Sequence, residues 1–215
     1  MAHRVRGFLI TLEGGEGAGK TTAASHIMDW LQRHGRKVVS SREPGGTPIA
    51  EQIRSILLDP ASRGMSPITE LLLMFAARSD NLDQFIRPHL DQGYDVLCDR
   101  FTDASRAYQG AGRGLGLEAV DLLANVVHSD LEPDLTLLLD VPVEVGMERV
   151  GKRGIALNRF EMAEYDFFER VRQGYLHQAN KEPHRFVVID ATQPLDQVRS
   201  LIEAALDERL GQLLK

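Results

Sequence analysis

A glycine-rich segment that follows an apolar run constrains the fold of this chain more than any other feature. Residues 14–21 read Gly-Gly-Glu-Gly-Ala-Gly-Lys-Thr and match the phosphate-binding loop pattern G-x-x-x-x-G-K-S/T. Glycine lets the backbone fold back, so that successive N–H groups and the positive end of the next helix point at phosphate oxygens. The pattern predicts a nucleoside triphosphate site, with Lys20 at the β and γ phosphates and Thr21 on Mg²⁺. The residues predicted to bind the triphosphate are Gly14, Gly15, Glu16, Gly17, Ala18, Gly19, Lys20, Thr21 and Thr22.

The surroundings of the loop favour this interpretation over a flexible glycine turn between unrelated elements. The apolar run 8–12 precedes the loop, as a strand should. After Lys20, apolar residues recur at helical spacing, and Gly35 ends the run; these residues are Ala23, Ala24, Ile27, Met28 and Leu31. Strand, loop and helix therefore follow in the order that a phosphate-binding loop requires.

The rest of the chain alternates between short apolar runs and helical patterns. The predicted strands are 8–13, 37–41, 95–99, 135–141 and 186–190. The predicted helices after the first are 48–58, 67–91, 117–128, 142–153, 160–180 and 194–214. This order predicts an α/β fold of the P-loop NTPase type: a parallel sheet with helices on both faces and right-handed crossovers. At 215 residues and 43% hydrophobic content, we expect one domain, 1–215.

Composition excludes several classes of protein. The net charge of −6, from 25 basic and 31 acidic residues, argues against a nucleic-acid-binding or anionic-membrane surface. The only cysteine, Cys98, lies in an apolar run and is expected to be buried in a reducing compartment. The apolar stretch after Arg4 and Arg6 is too short for a signal peptide, and no run reaches membrane-spanning length. We therefore expect a cytoplasmic protein without a membrane partner.

Polar and charged residues follow the first three predicted strands. In parallel sheets ligands gather at the carboxyl ends of strands, which selects 13–21, 42–46 and 99–100. Arg42 and Arg100 offer planar guanidinium groups that match phosphate. Beside a loop that already holds a triphosphate, they suggest a second phosphorylated ligand, the acceptor of a nucleotide kinase, although either could instead form a surface ion pair. Asp99 could bind Mg²⁺ directly or through water, or have a capping or structural role.

Several longer segments resemble those of bacterial thymidylate kinases. They are Glu13-Gly-Gly-Glu-Gly-Ala-Gly-Lys-Thr-Thr22, Arg42-Glu-Pro-Gly-Gly-Thr47, Leu73-Met-Phe-Ala-Ala-Arg78, Asp99-Arg-Phe101, Ala107-Tyr-Gln-Gly110, Gly112-Arg-Gly114 and Pro133-Asp-Leu-Thr-Leu137. The resemblance runs in order to Asp190-Ala-Thr192. The second and third segments are far more specific than the phosphate loop.

The resemblance implies a nucleoside monophosphate kinase that transfers the γ-phosphoryl group of ATP to dTMP with Mg²⁺, and that forms a homodimer. It places Arg42 and Arg100 on the dTMP phosphate, Phe75 on the face of the thymine and Arg78 at its carbonyl edge. Ser105, Tyr108 and Gln109 would form the remaining wall, and Glu16 would reach the deoxyribose 3′-hydroxyl. Judged by its apolar helical stripe, Phe75 would instead be a core residue.

A basic cluster around two glycines predicts a small lid over residues 149–160. Arg149, Lys152, Arg153 and Arg159 flank Gly151 and Gly154. Such a lid would neutralise the transferring phosphoryl group and exclude water; the alternative is a solvated helix end. The resemblance favours the lid, because the loop positions 15–18 contain no basic residue. The residues predicted to act in catalysis are Lys20, Arg100, Arg149, Arg153 and Arg159.

Two segments depart from the family pattern. Residues 155–161 are longer than the usual Leu-Asp-Arg-Phe-Glu, and Asn158 replaces an acid. Arg106 stands where an apolar residue is common. Which lid arginine meets the γ phosphate, and the details of the pocket wall, therefore stay open.

Other functions of phosphate-binding loops fit the sequence less well. The segment 180–183 lacks the aspartate of a guanine-reading Asn-Lys-x-Asp motif, and neither Asp99 nor Asp140 is followed by the second acid of a motor ATPase. The closer alternatives are a kinase for another (deoxy)nucleoside monophosphate and a catalytically silent nucleotide-binding module.

Overall fold

The computed structural model describes residues 6–152, 154 and 158–213. Five strands form one sheet: β1 Leu9–Gly14, β2 Val38–Arg42, β3 Asp95–Asp99, β4 Leu135–Asp140 and β5 Phe186–Asp190. Their order is β2-β3-β1-β4-β5, and every neighbouring pair is parallel. The predicted parallel sheet is confirmed, with all five strands within a residue of their expected bounds.

Helices connect the strands as parallel pairing requires. The α-helices are α1 Lys20–Arg33, α2 Pro48–Leu58, α3 Pro67–Asn81, α4 Arg87–Asp91, α5 Thr102–Ser105, α6 Leu117–His128, α7 Val143–Gly151, α8 Tyr165–Lys181 and α9 Leu195–Leu213. Two π-helical segments, π1 Leu82–Ile86 and π2 Arg106–Gly112, continue α3 and α5, and a 3₁₀ turn spans Pro60–Gly64. No helix in the described part of the chain is long and apolar enough to cross a membrane.

Alternate side chains of the central strands bury themselves on opposite faces of the sheet. Ile10 of β1 and Leu137 of β4 pack with α1 and α9 on one face. Leu9 of β1 packs with π1 and α4 on the other, and Leu138 of β4 packs there with π2 and α8. The predicted coverage of both faces by helices is therefore confirmed.

Two predicted helices differ in detail from those observed, and one helix was not predicted. The helix expected over 67–91 contains the π1 turn, and the one expected from 160 begins at Tyr165. The latter starts late because Asn158 turns the chain: its Oδ1 accepts hydrogen bonds from the Phe160 and Glu161 amides. The helix of α5 and π2 was not predicted. Arg153 lies outside the described residues.

Close backbone contact places the phosphate loop against α7. A Cβ atom added to Gly17 would lie 2.1 Å from the Gly146 carbonyl oxygen, and one added to Gly146 would lie 2.3 Å from the Glu16 carbonyl oxygen. Only glycine fits at both positions, so α7 and the lid segment after it begin directly beside the loop.

Candidate active site

The loop between β1 and α1 has the backbone of an anion-binding site. Gly14, Gly17 and Gly19 have positive φ values of 141°, 69° and 90°, a region that glycine adopts without strain. Gly19 caps α1 without any side-chain hydrogen bond, and no acidic residue stands in the first turn. The first amides of this helix therefore remain available to an anion.

Lys20 folds back over this loop. Its Nζ donates hydrogen bonds to the carbonyl oxygens of Gly14 and Gly15, both at 3.1 Å. Burial lowers the pKa of Lys20 to about 8, and the charge of Arg100 adds to the decrease. The positive charge of Lys20 is thus not fully balanced by negative charge beside the loop, as expected for a group that binds a polyanion.

An open cleft of about 640 Å³ lies beside the loop, and we call it the central cavity. The loop, α2, α3 and α5 with π2 form its walls, and two residues at the end of the predicted lid close it. Its lining residues are Glu16, Glu43, Pro44, Arg54, Leu58, Met74, Arg78, Arg100, Phe101, Ala104, Ser105, Tyr108, Gln109, Asn158 and Phe160. Six predicted acceptor-site residues are brought together here: Glu16, Arg78, Arg100, Ser105, Tyr108 and Gln109.

Arg100 and Glu16 form the junction between the loop and the cavity. Arg100 has a positive φ of 71°, an uncommon conformation for a residue with a side chain. Its Nη2 donates to Glu16 Oε1 at 3.1 Å and its Nη1 to the Tyr175 hydroxyl at 3.1 Å. The Tyr108 hydroxyl donates to the same Glu16 oxygen at 2.8 Å. Charge and hydrogen bonds therefore meet at the point where two phosphorylated ligands would face each other.

A buried carboxyl group is hydrogen-bonded to residues that surround this junction. Glu13 accepts hydrogen bonds from the Phe101 amide and the Tyr175 hydroxyl, each at 2.7 Å. Burial raises the pKa of Glu13 to about 8, and the charge of Asp103 adds to the increase. Sequence reasoning did not assign a role to Glu13 or Tyr175, although the former begins the Glu-Gly-x-Glu-Gly segment.

Arg78 stands at the far end of the cavity. It is 2% exposed, and its Nε donates to Glu43 Oε2 at 2.6 Å. Its Nη2 donates to Ser105 Oγ at 3.0 Å and to the Phe101 carbonyl oxygen at 3.1 Å. Its Nη1 is buried and has no hydrogen-bond partner among the described residues. A buried donor without a partner is costly, so this atom is suited to a carbonyl group of a ligand.

Arg42 does not lie where the sequence predicted. Its side chain is 54% exposed and forms an ion pair with Glu51, with Nη2 and Oε2 3.0 Å apart. Because Arg42 ends the edge strand β2, its side chain reaches out to the first turn of α2 instead of into the cavity. The structure therefore does not bring Arg42 into the central cavity, and its contact with the acceptor phosphate stays a prediction.

Arg54 of α2 lines the cavity instead. Its Nη1 donates to the Pro44 carbonyl oxygen at 2.8 Å. Burial lowers the pKa of Arg54, and the charge of Arg42 adds to the decrease. A cation held near other cations is stabilised by an incoming anion. Helical periodicity did not identify Arg54 as a site residue, because the spacing of residues along a helix does not show which neighbouring element a charged side chain faces.

Phe75 also departs from its predicted role. It is 3% exposed and packs with Leu71, Val120 and Ala124, away from the cavity. Arg78 covers its ring, with Cζ 4.4 Å from the centroid. The ring therefore has no face open to a base, and the expectation of stacking by Phe75 is corrected to a core role. Its half-buried neighbour Met74 lines the cavity.

The described lid arginines occupy different places. Arg149 donates to the carbonyl oxygens of Gly17 at 3.4 Å and Ala191 at 3.0 Å, beside the phosphate loop. Arg159 is 6% exposed; its Nη2 lies 2.6 Å from Glu70 Oε2, and its Nε donates to the Leu57 carbonyl oxygen at 2.7 Å. Arg159 thus lies among buried partners, and its predicted contact with the phosphoryl group stays a prediction. Arg153 lies outside the described residues.

The predicted metal ligands suit a hydrated ion better than a protein cage. Asp99 Oδ1 is buried without a hydrogen-bond partner in the described part of the chain, while Thr21 at the start of α1 is exposed. Groups of three or more acidic, histidine or cysteine residues that could hold a metal are absent from the described residues. One hydroxyl and one carboxylate, with water and phosphate oxygens, match the coordination that Mg²⁺ prefers.

A second cavity lies on the other side of the phosphate loop. Gly19 and Thr22 contribute one wall, Arg149 and Ala191 another, and Gln193 and residues of α9 complete the rim. Apolar side chains and the face of a guanidinium group suit a flat aromatic ligand. The two cavities therefore flank one anion-binding loop.

Comparisons with known proteins agree with this geometry. Residues 12–202 match the sequence family described as thymidylate kinase. The chain is 54% identical over 200 residues to a thymidylate kinase of Pseudomonas putida strain F1, covering 93% of this chain and 95% of that protein. It is 54% identical over 201 residues to one of Alkalilimnicola ehrlichii, covering 94% and 93% of the two chains. It is 52% identical over 202 residues to one of Alcanivorax borkumensis, covering 94% and 97%.

Proposed function

This chain belongs to the thymidylate kinase family and transfers the γ-phosphoryl group of ATP to dTMP, and we propose that the central cavity holds the dTMP. One observation carries the proposal. Glu16 belongs to the phosphate loop and also lines the central cavity, where Arg100 contacts it. An acceptor in the cavity would thus present its phosphate to a donor on the loop.

The donor would be held by main-chain amides and Lys20. The first turn of α1 offers unpartnered amides, and Lys20 can leave the Gly14 and Gly15 carbonyl oxygens for the β and γ phosphates. We propose that the adenine lies in the second cavity beside Arg149. Thr21 and, through water, Asp99 would hold Mg²⁺. When bound, Mg²⁺ neutralises charge on the phosphate oxygens.

Arg54 and Arg100 would hold the acceptor phosphate. Both line the cavity near the loop, and guanidinium groups bind phosphate through paired N–H donors. The Arg100 side chain is kept in place by Tyr175 and Glu16. Because these hydrogen bonds fix the guanidinium group, the phosphate would meet a preorganised cation, and transfer would require little rearrangement of the protein.

The thymine would lie at the Arg78 end. Arg78 Nη1 can donate to a base carbonyl, while Met74 and Phe101 supply apolar walls. Glu16 and Tyr108 are placed between this end and the loop, where the sugar would lie, and their polar atoms suit its hydroxyl group. Ser105 and Gln109 complete the wall.

The lid would consist of residues 149–160 within a single kinase domain, 1–215. Gly151 and Gly154 permit movement, and Arg153 would supply charge to the phosphoryl group during transfer. A group that acts in this way lowers the barrier more than it strengthens substrate binding.

We further propose a cytoplasmic homodimer. Three packed helices expose apolar side chains at helical spacing, and α3 contacts both α2 and α6. They are Ile49, Ile56, Ile68, Leu72, Leu122 and Val126, with exposures from 47% to 76%. Large apolar side chains exposed on neighbouring helices are typical of a protein interface, and a twofold pairing of two copies would bury them.

A comparison of acceptors tests the function. Purified protein with ATP and Mg²⁺ is assayed against dTMP, dUMP, UMP, CMP and AMP. We expect the highest kcat/KM for dTMP, and no transfer after Mg²⁺ is removed with a chelator. A preference for AMP or CMP would contradict the assignment, and ATP binding without transfer to any acceptor would indicate a silent binding module.

A further inference from the structure

A buried carboxylate on α3 joins the base end of the central cavity to the end of the lid segment. Glu70 is 1% exposed. Its Oε1 accepts a hydrogen bond from Gln109 Nε2 at 2.8 Å. Its Oε2 lies 3.2 Å from Arg113 Nη2 and 2.6 Å from Arg159 Nη2. Neither arginine lines the cavity, whereas Gln109 does.

These contacts fix which way the Gln109 amide faces. An ionised carboxylate accepts hydrogen bonds and cannot donate them, so the Gln109 NH₂ group must face Glu70. Arg113 donates two hydrogen bonds to the same carboxylate, and the charge of Arg159 lies 2.6 Å from it, so the two arginines hold Glu70 in this arrangement. No hydrogen bond among the described residues uses Gln109 Oε1. This oxygen is therefore the side-chain polar atom that Gln109 can offer to a ligand.

The base end then presents a donor and an acceptor. Arg78 Nη1 is a fixed donor because guanidinium cannot accept. Gln109 Oε1 can only accept, and it is held as the acceptor because the hydrogen bond to Glu70 keeps the amide nitrogen, through one of its two N–H groups, on the Glu70 side. The Ser105 hydroxyl, which accepts from Arg78, can still rotate its own proton and does not select either type of partner.

We propose that Glu70 is a positioning residue that directs the Gln109 carbonyl oxygen toward the acceptor base and so selects thymine over cytosine. The inference rests on the proposed placement of dTMP. Thymine offers a carbonyl oxygen beside an imide N–H, which complement Arg78 and Gln109. Cytosine offers an amino group and an unprotonated ring nitrogen at the same places, so both contacts would be mismatched. Sites built to hydrogen-bond a buried group reject analogues that leave it unpaired.

The test is the ratio of kcat/KM for dTMP to kcat/KM for dCMP. Glu70→Gln can accept or donate toward Gln109, so the Gln109 amide can turn over. We expect the ratio to fall at least about tenfold, through weaker use of dTMP and better use of dCMP. Arg113→Gln is the comparison variant: it removes the Arg113 donors to both Glu70 oxygens, at 3.3 and 3.2 Å, but keeps the Glu70 carboxylate that accepts from Gln109. Its ratio should stay at the wild-type value.

A second variant separates orientation from loss of charge. Glu70→Asp keeps the negative charge for Arg113 and Arg159 but withdraws the oxygen from Gln109, so the ratio should fall again. An unchanged ratio in either folded variant, or an equal fall in Arg113→Gln, overturns the inference. Should both variants unfold, side-chain amide exchange of Gln109 in the wild type decides: slow exchange is expected, and exchange at the rate of an exposed amide overturns it. Wild-type protein that fails to use dTMP would instead refute the proposed function.

Discussion

Lys20 links ATP binding to pH. Its pKa is lowered to about 8 by burial and by Arg100, whereas bound phosphates would raise it because they favour the charged form. Binding at pH 8 should therefore take up a proton, and the dissociation constant for ATP should increase up to about tenfold per pH unit above pH 8.

Calorimetry at pH 8 in two buffers of different ionisation enthalpy measures this uptake. The terminal phosphate of ATP, with a pKa near ~6, is already ionised there and contributes little. Lys20→Gln removes the titrating group, so any residual binding should show no uptake. Equal binding enthalpies for the wild type in both buffers would contradict the prediction.

The side chains of Arg54 and Arg42 lie in different surroundings, so their charges should affect substrate binding differently. Arg54 lines the central cavity, while Arg42 is 54% exposed and paired with Glu51. Arg54→Ala should raise the KM for dTMP at least about tenfold, since a hydrogen bond to a charged group is worth about 1.5–3 kcal/mol. Arg42→Ala should change it less than about threefold, as exposed pairs contribute little. Steady-state kinetics on both variants distinguishes the roles; a larger effect at Arg42 would restore the prediction from sequence.

Secondary structure could be predicted from the sequence more readily than the direction in which each side chain points. Buried parallel strands are continuous apolar runs, and helices show their period, so β1 to β5 and most helices followed directly. The helix of α5 and π2 was not predicted, because glycines at 110 and 112 are typical of a loop. The direction of side chains was harder to predict. Met74 and Phe75 are adjacent in the apolar stripe of α3, and only packing against α6 decides which of them is a core residue.

We predict that Arg159, at the end of the lid segment, stabilises the folded protein. Arg159 is buried with Glu70 and holds the Leu57 carbonyl oxygen at the end of α2. Arg159→Ala should lower the free energy of unfolding by on the order of 3 kcal/mol, because it leaves part of a buried charge uncompensated. Arg153→Ala should leave stability within about 0.5 kcal/mol and lower kcat more than it raises the KM for dTMP.

Urea unfolding and steady-state kinetics on both variants provide the measurement. Arg159→Lys keeps a charge for Glu70 but loses the fixed fork of the guanidinium group, so an intermediate stability is expected. If Arg159→Ala lost kcat at unchanged stability, this arginine would be a phosphate contact after all.

Dimer formation would connect the apolar helices to the active site. The exposed side chains of α3 lie on the helix that also carries Glu70, Met74 and Arg78, so burial of that surface would stiffen one wall of the central cavity. Leu122 and Val126 of α6 are the most exposed of the set, at 65% and 76%. Leu122→Lys combined with Val126→Lys should therefore produce a monomer, because two buried lysines without partners are costly at an interface.

Light scattering after size exclusion measures the mass, with Leu201→Lys as the control. Leu201 is an apolar side chain on α9 with 40% exposure, and α9 packs on the other face of the sheet, so this variant should keep the mass of two chains. In the monomer, loss of support for α3 should raise the KM for dTMP more than the KM for ATP, since the proposed donor site consists of the loop, α1 and α9. A wild-type monomer, or a double variant that stays dimeric, would show that this surface has another use.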